Sequence, residues 1–246
     1  MKIKELHLLF LHSDGISTDT RKIKENSLFF ALKGDNFNGN SFAAEALEKG
    51  AACAIVDEES DKKSERILKV DNVLATLQQL AYFHRRFLNI PILALTGSNG
   101  KTTTKELINA VLSQKFRTKA TAGNLNNHIG VPLSLLSMNK QTEMGIVEMG
   151  ANHPGEIKLL CSIAAPDYGY ITNFGKAHLE GFGSLEGVMK AKSELYDYLK
   201  ENNGMLFLNN DDSIQNQQNS YSRIFSFGTE KPADVVLEFF SPQNSF

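Results

Sequence analysis

Three segments of the chain combine residue types that can handle phosphate and metal. In "ILALTGSNGKTTTKELINAVL" (residues 92–112) an apolar run stops at a Gly-rich turn, and a lysine and three threonines then open a helix. Gly97 and Gly100 let backbone N–H groups converge on the helix start, where the dipole favours an anion. Lys101 can neutralise phosphate oxygens, and the Thr102 hydroxyl can ligate Mg²⁺. The full G-x-x-x-x-G-K-[ST] pattern needs glycine where Leu95 stands, so this turn is a shortened relative, G-x-x-G-K-T. A Gly-rich turn with an incidental lysine is the competing reading. The strand before and the helix after favour phosphate, held by Gly97, Ser98, Asn99, Gly100, Lys101, Thr102 and Thr103.

In "VEMGANHPGE", Glu148 ends an apolar strand; it either caps the next helix or, beside a phosphate site, ligates Mg²⁺. In "TNFGKAHLEGFG", His178 lies in a Gly-punctuated loop, and a lone histidine there is more often a surface or packing residue than a ligand. In "SLEGVMKAKSELYDYLKENNG", Val188, Ala191, Leu195, Tyr196 and Leu199 share one helix face with Lys192 in its middle, while Lys190 points almost opposite. A lysine in an apolar stripe usually snorkels to water; the alternative is an ammonium with a chemical task.

The elements that must position these residues alternate. From residue 92 the order is strand, loop, helix, repeated: "ILAL" leads to the helix from residue 101, "GIVEM" to "PGEIKLLCSIA", and "YGYIT" to a helix near Ser184, with "GMLFL" and "RIFSF" as further strands. That order implies an α/β parallel sheet with ligands beyond the carboxyl ends of its strands. Upstream, "SLFFAL" and "CAIV" read as strands and "SFAAEALEKG" as a helix. "DNVLATLQQLAYFHRRF" carries an apolar stripe at Val73, Leu74, Leu77, Leu80, Ala81 and Phe87, capped by Asp71 or Asn72, with Arg85 and Arg86 favourable at its end. Pro91 then closes a joint, so the division expected is 1–88 and 89–246.

Composition narrows the classes. With 246 residues, 41% hydrophobic and 22% charged, the chain can bury a sizeable core. A net charge of −2 with dispersed lysines and arginines speaks against a nucleic-acid partner. The N-terminal "MKIKELHLLFLHSDG" lacks the features of a signal peptide, and no apolar run approaches bilayer-spanning length, so the expectation is a cytoplasmic monomer. Cys53 and Cys161 lie in apolar stretches and read as buried thiols.

"TGSNGKTTTKELI", "AGNLNNHIGVPLSLL", "VEMGANHPGEI", "TNFGKAHLEGFGSLEGVMKAKSELY" and "LNNDD", in this order, resemble the central domain of the Mur ligases. "ISTDTRKIKENSLFFALKGDNFNGNSFAAEALEKGAACAIV" is similar to the family's N-terminal domain. "EMGANHPGEI" and "AHLEGFGS" resemble the branch that joins D-alanyl-D-alanine to UDP-N-acetylmuramoyl-tripeptide. The resemblance implies a small N-terminal α/β domain that recognises the UDP-sugar, followed by a P-loop-type ATP-binding domain. It implies ATP-dependent amide formation through an acyl phosphate, in peptidoglycan precursor synthesis. Lys101 and the amides of residues 98–102 would hold the β,γ-phosphates, and Thr102 and Glu148 a Mg²⁺ ion. His178 would hold a second Mg²⁺, and Lys192 would carry a CO₂-derived carbamate. Asn124, Asn126 and Asn127 would line the cleft between substrate and nucleotide, and Thr20, Arg21 and Lys33 would meet the UDP-sugar.

Two departures stand out: Asn38-Gly39-Asn40 replaces the family's usual D-G-H, and His128 stands where an acidic residue is usual. Family members also carry a third, C-terminal domain, whereas this sequence ends at "EFFSPQNSF". The expectation is therefore the N-terminal and central part of a ligase, with little or no ligation by this chain alone. The alternatives are a non-catalytic module that binds nucleotide or UDP-muramoyl-peptide, and a plain P-loop ATPase or kinase.

Overall fold

The computed structural model describes residues 2–59, 64–175, 179–218, 220–229 and 232–238, with residues 179 and 180 described by their backbone alone. The chain begins with α1 (Ile3–Leu11), β1 (Ile16–Ser17), β2 (Leu28–Phe30), the hairpin β3 (Lys33–Gly34) and β4 (Phe37–Asn38), α2 (Ala43–Glu48), β5 (Cys53–Val56) and β6 (Ile67–Lys69). Helix α3 (Val73–Leu88) leads to β7 (Ile92–Thr96), α4 (Lys101–Leu112), β8 (Thr118–Ala120), α5 (Gly130–Leu136), β9 (Met144–Glu148) and α6 (Glu156–Ala164). β10 (Tyr168–Ile171), α7 (Leu179–Phe182), α8 (Leu185–Glu201), β11 (Met205–Asn209), β12 (Ile224–Gly228) and β13 (Val235–Val236) complete the order.

Among the described residues, a four-stranded sheet runs β1-β2-β5-β6 and a seven-stranded sheet runs β13-β12-β11-β10-β7-β9-β8. Both are parallel throughout, as the α/β expectation required. β7 is buried along its whole length because helices cover both faces of the larger sheet. Ile92 and Ala94 join the main core, while Leu93 and Leu95 turn to the other face with Ile146, against Ile108 and Leu112 of α4. This alternation is the two-residue period of a strand. β8 and β9 lie on one side of β7 and β10 to β13 on the other, so the chain switches direction around β7. A ligand crevice belongs beyond its carboxyl end.

α3 joins the two sheets. Asn72 caps it by accepting the Ala75 N–H at 2.7 Å. Val73, Leu77, Leu80 and Ala81 are buried as the stripe required, Leu74 is partly covered, and Phe87 is exposed, contrary to expectation. Arg85 does more than complement the helix dipole. Its buried guanidinium donates to the Ala164 and Ala165 carbonyls, each at 3.0 Å, and to Asp167 at 2.8 Å. Asp167 also accepts the Ile92 N–H, so this ion pair ties α3 to the start of β7. Cys53 and Cys161 are buried free thiols.

The N-terminal segment is helix α1, not foreseen from the sequence because His7 interrupts its apolar residues and His12 follows them. His7 is buried against His84 of α3, with Nε2 3.0 Å from Nδ1, and His84 Nε2 lies 3.0 Å from the Met138 carbonyl. A carbonyl only accepts, so His84 carries its proton on Nε2 and accepts from His7 on Nδ1; both rings are neutral. Burial, with His84 adding to it, lowers the His7 pKa to about 4.

This pair makes stability depend on pH with a definite sign. The unfolded imidazoles take up protons near their ordinary value of about 6.5, which the folded His7 refuses until about 4. Stability is therefore full above neutrality and falls as pH drops through that window, by roughly 2 kcal/mol from His7 at about pH 5. Urea unfolding at several pH values measures this, and His7→Phe should flatten the slope between neutrality and pH 5 relative to the parent chain.

Candidate active site

The first loop is shaped by what it must avoid. Gly97 has φ 146°, and a Cβ there would sit 2.0 Å from Thr172 Oγ1, so no side chain fits. Gly100 has φ 74°, a left-handed residue that turns the chain into α4. Neighbouring β10 holds the loop from the side. Asn173 accepts the Ser98 N–H on its carbonyl and the Asn99 N–H on Oδ1, each at 3.1 Å, and returns its Nδ2 to the Asn99 carbonyl. Ser98 Oγ donates to the Gly175 carbonyl at 2.8 Å.

These bonds divide the expected donors into two groups. The amides of Ser98 and Asn99 already have acceptors, so they are spoken for, whereas the amides of Lys101, Thr102 and Thr103 open α4 and have no carbonyl one turn back within the helix. The Lys101 ammonium spans the loop, donating to the Gly97 carbonyl at 2.9 Å and the Ser98 carbonyl at 3.3 Å. Burial lowers its pKa, and the Glu148 charge opposes that shift.

Glu148 ends β9 beside this loop because Leu95 pairs with it across the sheet. Its carboxylate is almost wholly buried, at 2% exposure. Thr102 Oγ1 lies 3.1 Å from Oε2, and Asn126 Nδ2 donates to Oε1 at 2.8 Å. Thr121 fixes the backbone by accepting the Glu148 N–H at 3.1 Å. Among the described residues no group of three or more His, Cys, Asp or Glu side chains converges as a ready-made metal cage. One carboxylate and one hydroxyl at the edge of a phosphate loop nevertheless suit Mg²⁺, which keeps several waters and takes phosphate oxygens. The donor set fits that ion.

α8 delivers Lys192. Val188, Ala191, Leu195, Tyr196 and Leu199 are all buried, and Lys190 is exposed. Lys192 does not snorkel: at 1% exposure it donates to the Ala151 carbonyl at 3.2 Å and stacks over Phe182. Burial lowers its pKa to about 8, with the Lys101 charge pushing the same way. Glu194, one half-turn further, accepts the Gly155 and Lys158 N–H groups at 2.7 and 2.9 Å. It thus caps α6 and holds the loop that Lys192 touches.

Lys101, Asn126, Asn127, His128 and residues 150–152 line a cleft of about 390 Å³. Asn127 lines it while also capping α5, its Oδ1 accepting the Gly130 N–H at 2.9 Å. Asn124 is exposed and is not part of this lining. A larger groove of about 1090 Å³ between α1 and the turn at residues 137–141 lies away from Lys101 and Glu148. His178 falls outside the described residues.

The three N-terminal candidates belong to the segment that forms the smaller sheet and the β3–β4 hairpin. Arg21 is exposed and forks onto Asp19, keeping that carboxyl well below its usual range. The Thr20 carbonyl accepts from Lys49. Lys33 is held between Asp57 and Glu58 at 2.9 and 2.8 Å, which raises its pKa. Asn40 accepts the Asp57 N–H and donates to its carboxylate, both at 2.9 Å, so the departure at this position serves a structural link.

The sequence reading passed over Thr121, Asn173, Glu194 and Lys105. Asn173 lies two residues past the end of β10, and that position at a strand's carboxyl end is the signal that points to it.

The model of the Mur ligase middle domain matches residues 95–245, and that of the Mur ligase family catalytic domain matches residues 12–85. The UDP-N-acetylmuramoyl-tripeptide–D-alanyl-D-alanine ligase of Bacillus subtilis is 41% identical over 217 residues, 87% of this chain and 48% of its own length. Its Escherichia coli counterpart is 43% identical over 200 residues, 81% of this chain and 44% of its own. Among solved structures, MurF ligase from Thermotoga maritima in complex with ADP aligns with TM-score 0.81 at 35% identity, over 91% of this chain and 52% of that one. MurF from Acinetobacter baumannii aligns with TM-score 0.79 at 37% identity, over 87% and 48%. The chain spans about half the length of the curated relatives it matches. With both family models placed along it in order, the chain belongs to the Mur ligase family.

Proposed function

We propose that this chain forms the N-terminal and central part of an ATP-dependent ligase that joins D-alanyl-D-alanine to UDP-N-acetylmuramoyl-tripeptide in peptidoglycan precursor synthesis. The observation that carries this reading is the Thr102–Glu148 contact at 3.1 Å beside the Lys101 ammonium, at the carboxyl ends of adjacent parallel strands. In this reading residues 1–88 recognise the UDP-sugar and residues 89–246 hold ATP, in a cytoplasmic monomer.

Lys101 exchanges its two loop carbonyls for β- and γ-phosphate oxygens, and the amides opening α4 point at the same anion. Thr102 and Glu148 would hold Mg²⁺, which when bound would supply charge that neutralises phosphate oxygens. The γ-phosphoryl passes to the tripeptide's terminal carboxylate, forming an acyl phosphate and releasing ADP. The amine of D-alanyl-D-alanine then attacks the acyl carbon, the amide forms, and phosphate and a proton leave. The cleft beside Lys101, lined by Asn126 and Asn127, is where this reading places the reacting carboxylate. Positioning and charge, rather than covalent participation by the protein, carry such a transfer.

Lys192 fits the family's carbamate. Carbamate formation joins a neutral amine to CO₂ and releases a proton, and a lysine lowered to about 8 supplies neutral amine near physiological pH. With His178, it would contribute to a second Mg²⁺ site. For the UDP-sugar, Thr20, Arg21 and Lys33 are the candidates, and both cations must first leave their carboxylates, Arg21 that of Asp19 and Lys33 those of Asp57 and Glu58.

Lys101→Ala should weaken ATP binding by about ten- to a hundred-fold, the loss of charge-assisted bonds to phosphate, read by calorimetry. Phosphate release by the parent chain should be slight and should rise only with muramoyl-tripeptide and D-alanyl-D-alanine together. Substrate-independent turnover would instead establish an ATPase. At constant CO₂ pressure, ¹³CO₂ labelling should give a carbamate carbonyl resonance that grows as pH rises through about 8 and is missing in Lys192→Met.

A further inference from the structure

Lys105 lies one turn beyond Lys101 and is the buried residue of α4, at 0% exposure. Its Nζ stands 3.0 Å from Glu106 Oε1 and 4.0 Å from Glu148 Oε2, the second too long for a hydrogen bond, and the ammonium has no hydrogen-bond partner. Glu106 is mostly exposed, so water screens it. The countercharge that matters is Glu148, buried with Lys105 in a poorly solvated environment.

The charges around this carboxylate are unequal. Lys101 shares its field, and Lys192 in its amine form senses Lys101. Glu156 is committed to the Asn152 and His153 amides, and Glu194 to those of Gly155 and Lys158. A bare divalent cation approaching Glu148 therefore meets a carboxylate already compensated from behind. A polyphosphate meets the opposite field and is drawn in.

We propose that Lys105 is a positioning residue that makes metal binding at Glu148 depend on nucleotide. It compensates Glu148 in the metal-free site and opposes a lone cation, which the phosphates' negative charge then overcomes. This rests on the nucleotide-site reading above.

The test titrates Mn²⁺ into the intact chain by electron paramagnetic resonance, with and without ADP, correcting for Mn²⁺·ADP in solution. The parent chain should bind Mn²⁺ about ten-fold or more tighter with ADP than without it. Lys105→Met should bind Mn²⁺ alone about ten-fold tighter than the parent and metal-free ADP several-fold weaker, while Lys105→Arg keeps the parent pattern. If Lys105→Met fails to fold by circular dichroism, Lys105→Gln carries the same comparison. Equal Mn²⁺ affinity of the parent with and without ADP, or a neutral variant whose Mn²⁺ affinity is unchanged or weaker, overturns the proposal. A parent chain that binds no ADP overturns the nucleotide reading itself, and this proposal with it.

Discussion

The site depends on the register of three parallel strands. β7 pairs with β9 so that Leu95 faces Glu148, and with β10 so that Thr96 faces Ile171. The next backbone bonds continue those ladders past the strand ends, Met149 N–H to Leu95 and Thr172 N–H to Thr96. The Gly97 turn is therefore gripped between two neighbours before any side chain contributes. A shift of β9 by one residue would turn Glu148 to the opposite face, because strand side chains alternate. The absence of a Cβ at Gly97 is the complementary condition, since Thr172 occupies that space.

Upon this frame sits an imbalance of charge. Lys101 and Lys105 lie close to the buried carboxylate of Glu148, and Lys192 feels the Lys101 charge together with those of Glu156 and Glu194. Such a cluster is costly for a protein that binds nothing, because buried ammonium groups lose hydration. A polyphosphate offsets that cost, and so would conversion of Lys192 to an anion. The lowered pKa of Lys192, set by burial first and by the Lys101 charge second, and the unpartnered ammonium of Lys105 both mark lysines desolvated beside the Gly97–Gly100 loop.

Much of this was legible in the residues. Gly-Lys-Thr after an apolar run placed Lys101 and Thr102, and the helical period separated Lys192 from Lys190 before any coordinates, because all of the apolar partners of Lys192 on α8 are buried. Other parts were hidden for identifiable reasons. α1 carries His7, whose partner His84 is 77 residues away, and no local pattern reveals such a pairing. Lys105 was overlooked because α4 buries a lysine where an apolar residue would mark the inner face. β8 is a three-residue edge strand, too short for its alternation to register. The Asn38-Gly39-Asn40 departure is visible in the sequence, but not that Asn40 clasps Asp57, a partner 17 residues away.

The joint between the two sheets constrains how any closure can occur. The Arg85 guanidinium reaches the end of α6 and Asp167, and Asp167 in turn holds the first residue of β7. Separating α3 from these groups would leave a buried cation and two backbone carbonyls without partners, a cost of several kcal/mol. His84 adds a bond from the same helix to Met138, and Gln78 one to the His128 carbonyl. Gln78 thus ties α3 to the loop that lines the cleft beside Lys101, while the buried His7–His84 bond and a shared apolar core tie α1 and the smaller sheet to the same helix. α3 therefore links the N-terminal elements to the cleft through buried contacts on both of its sides.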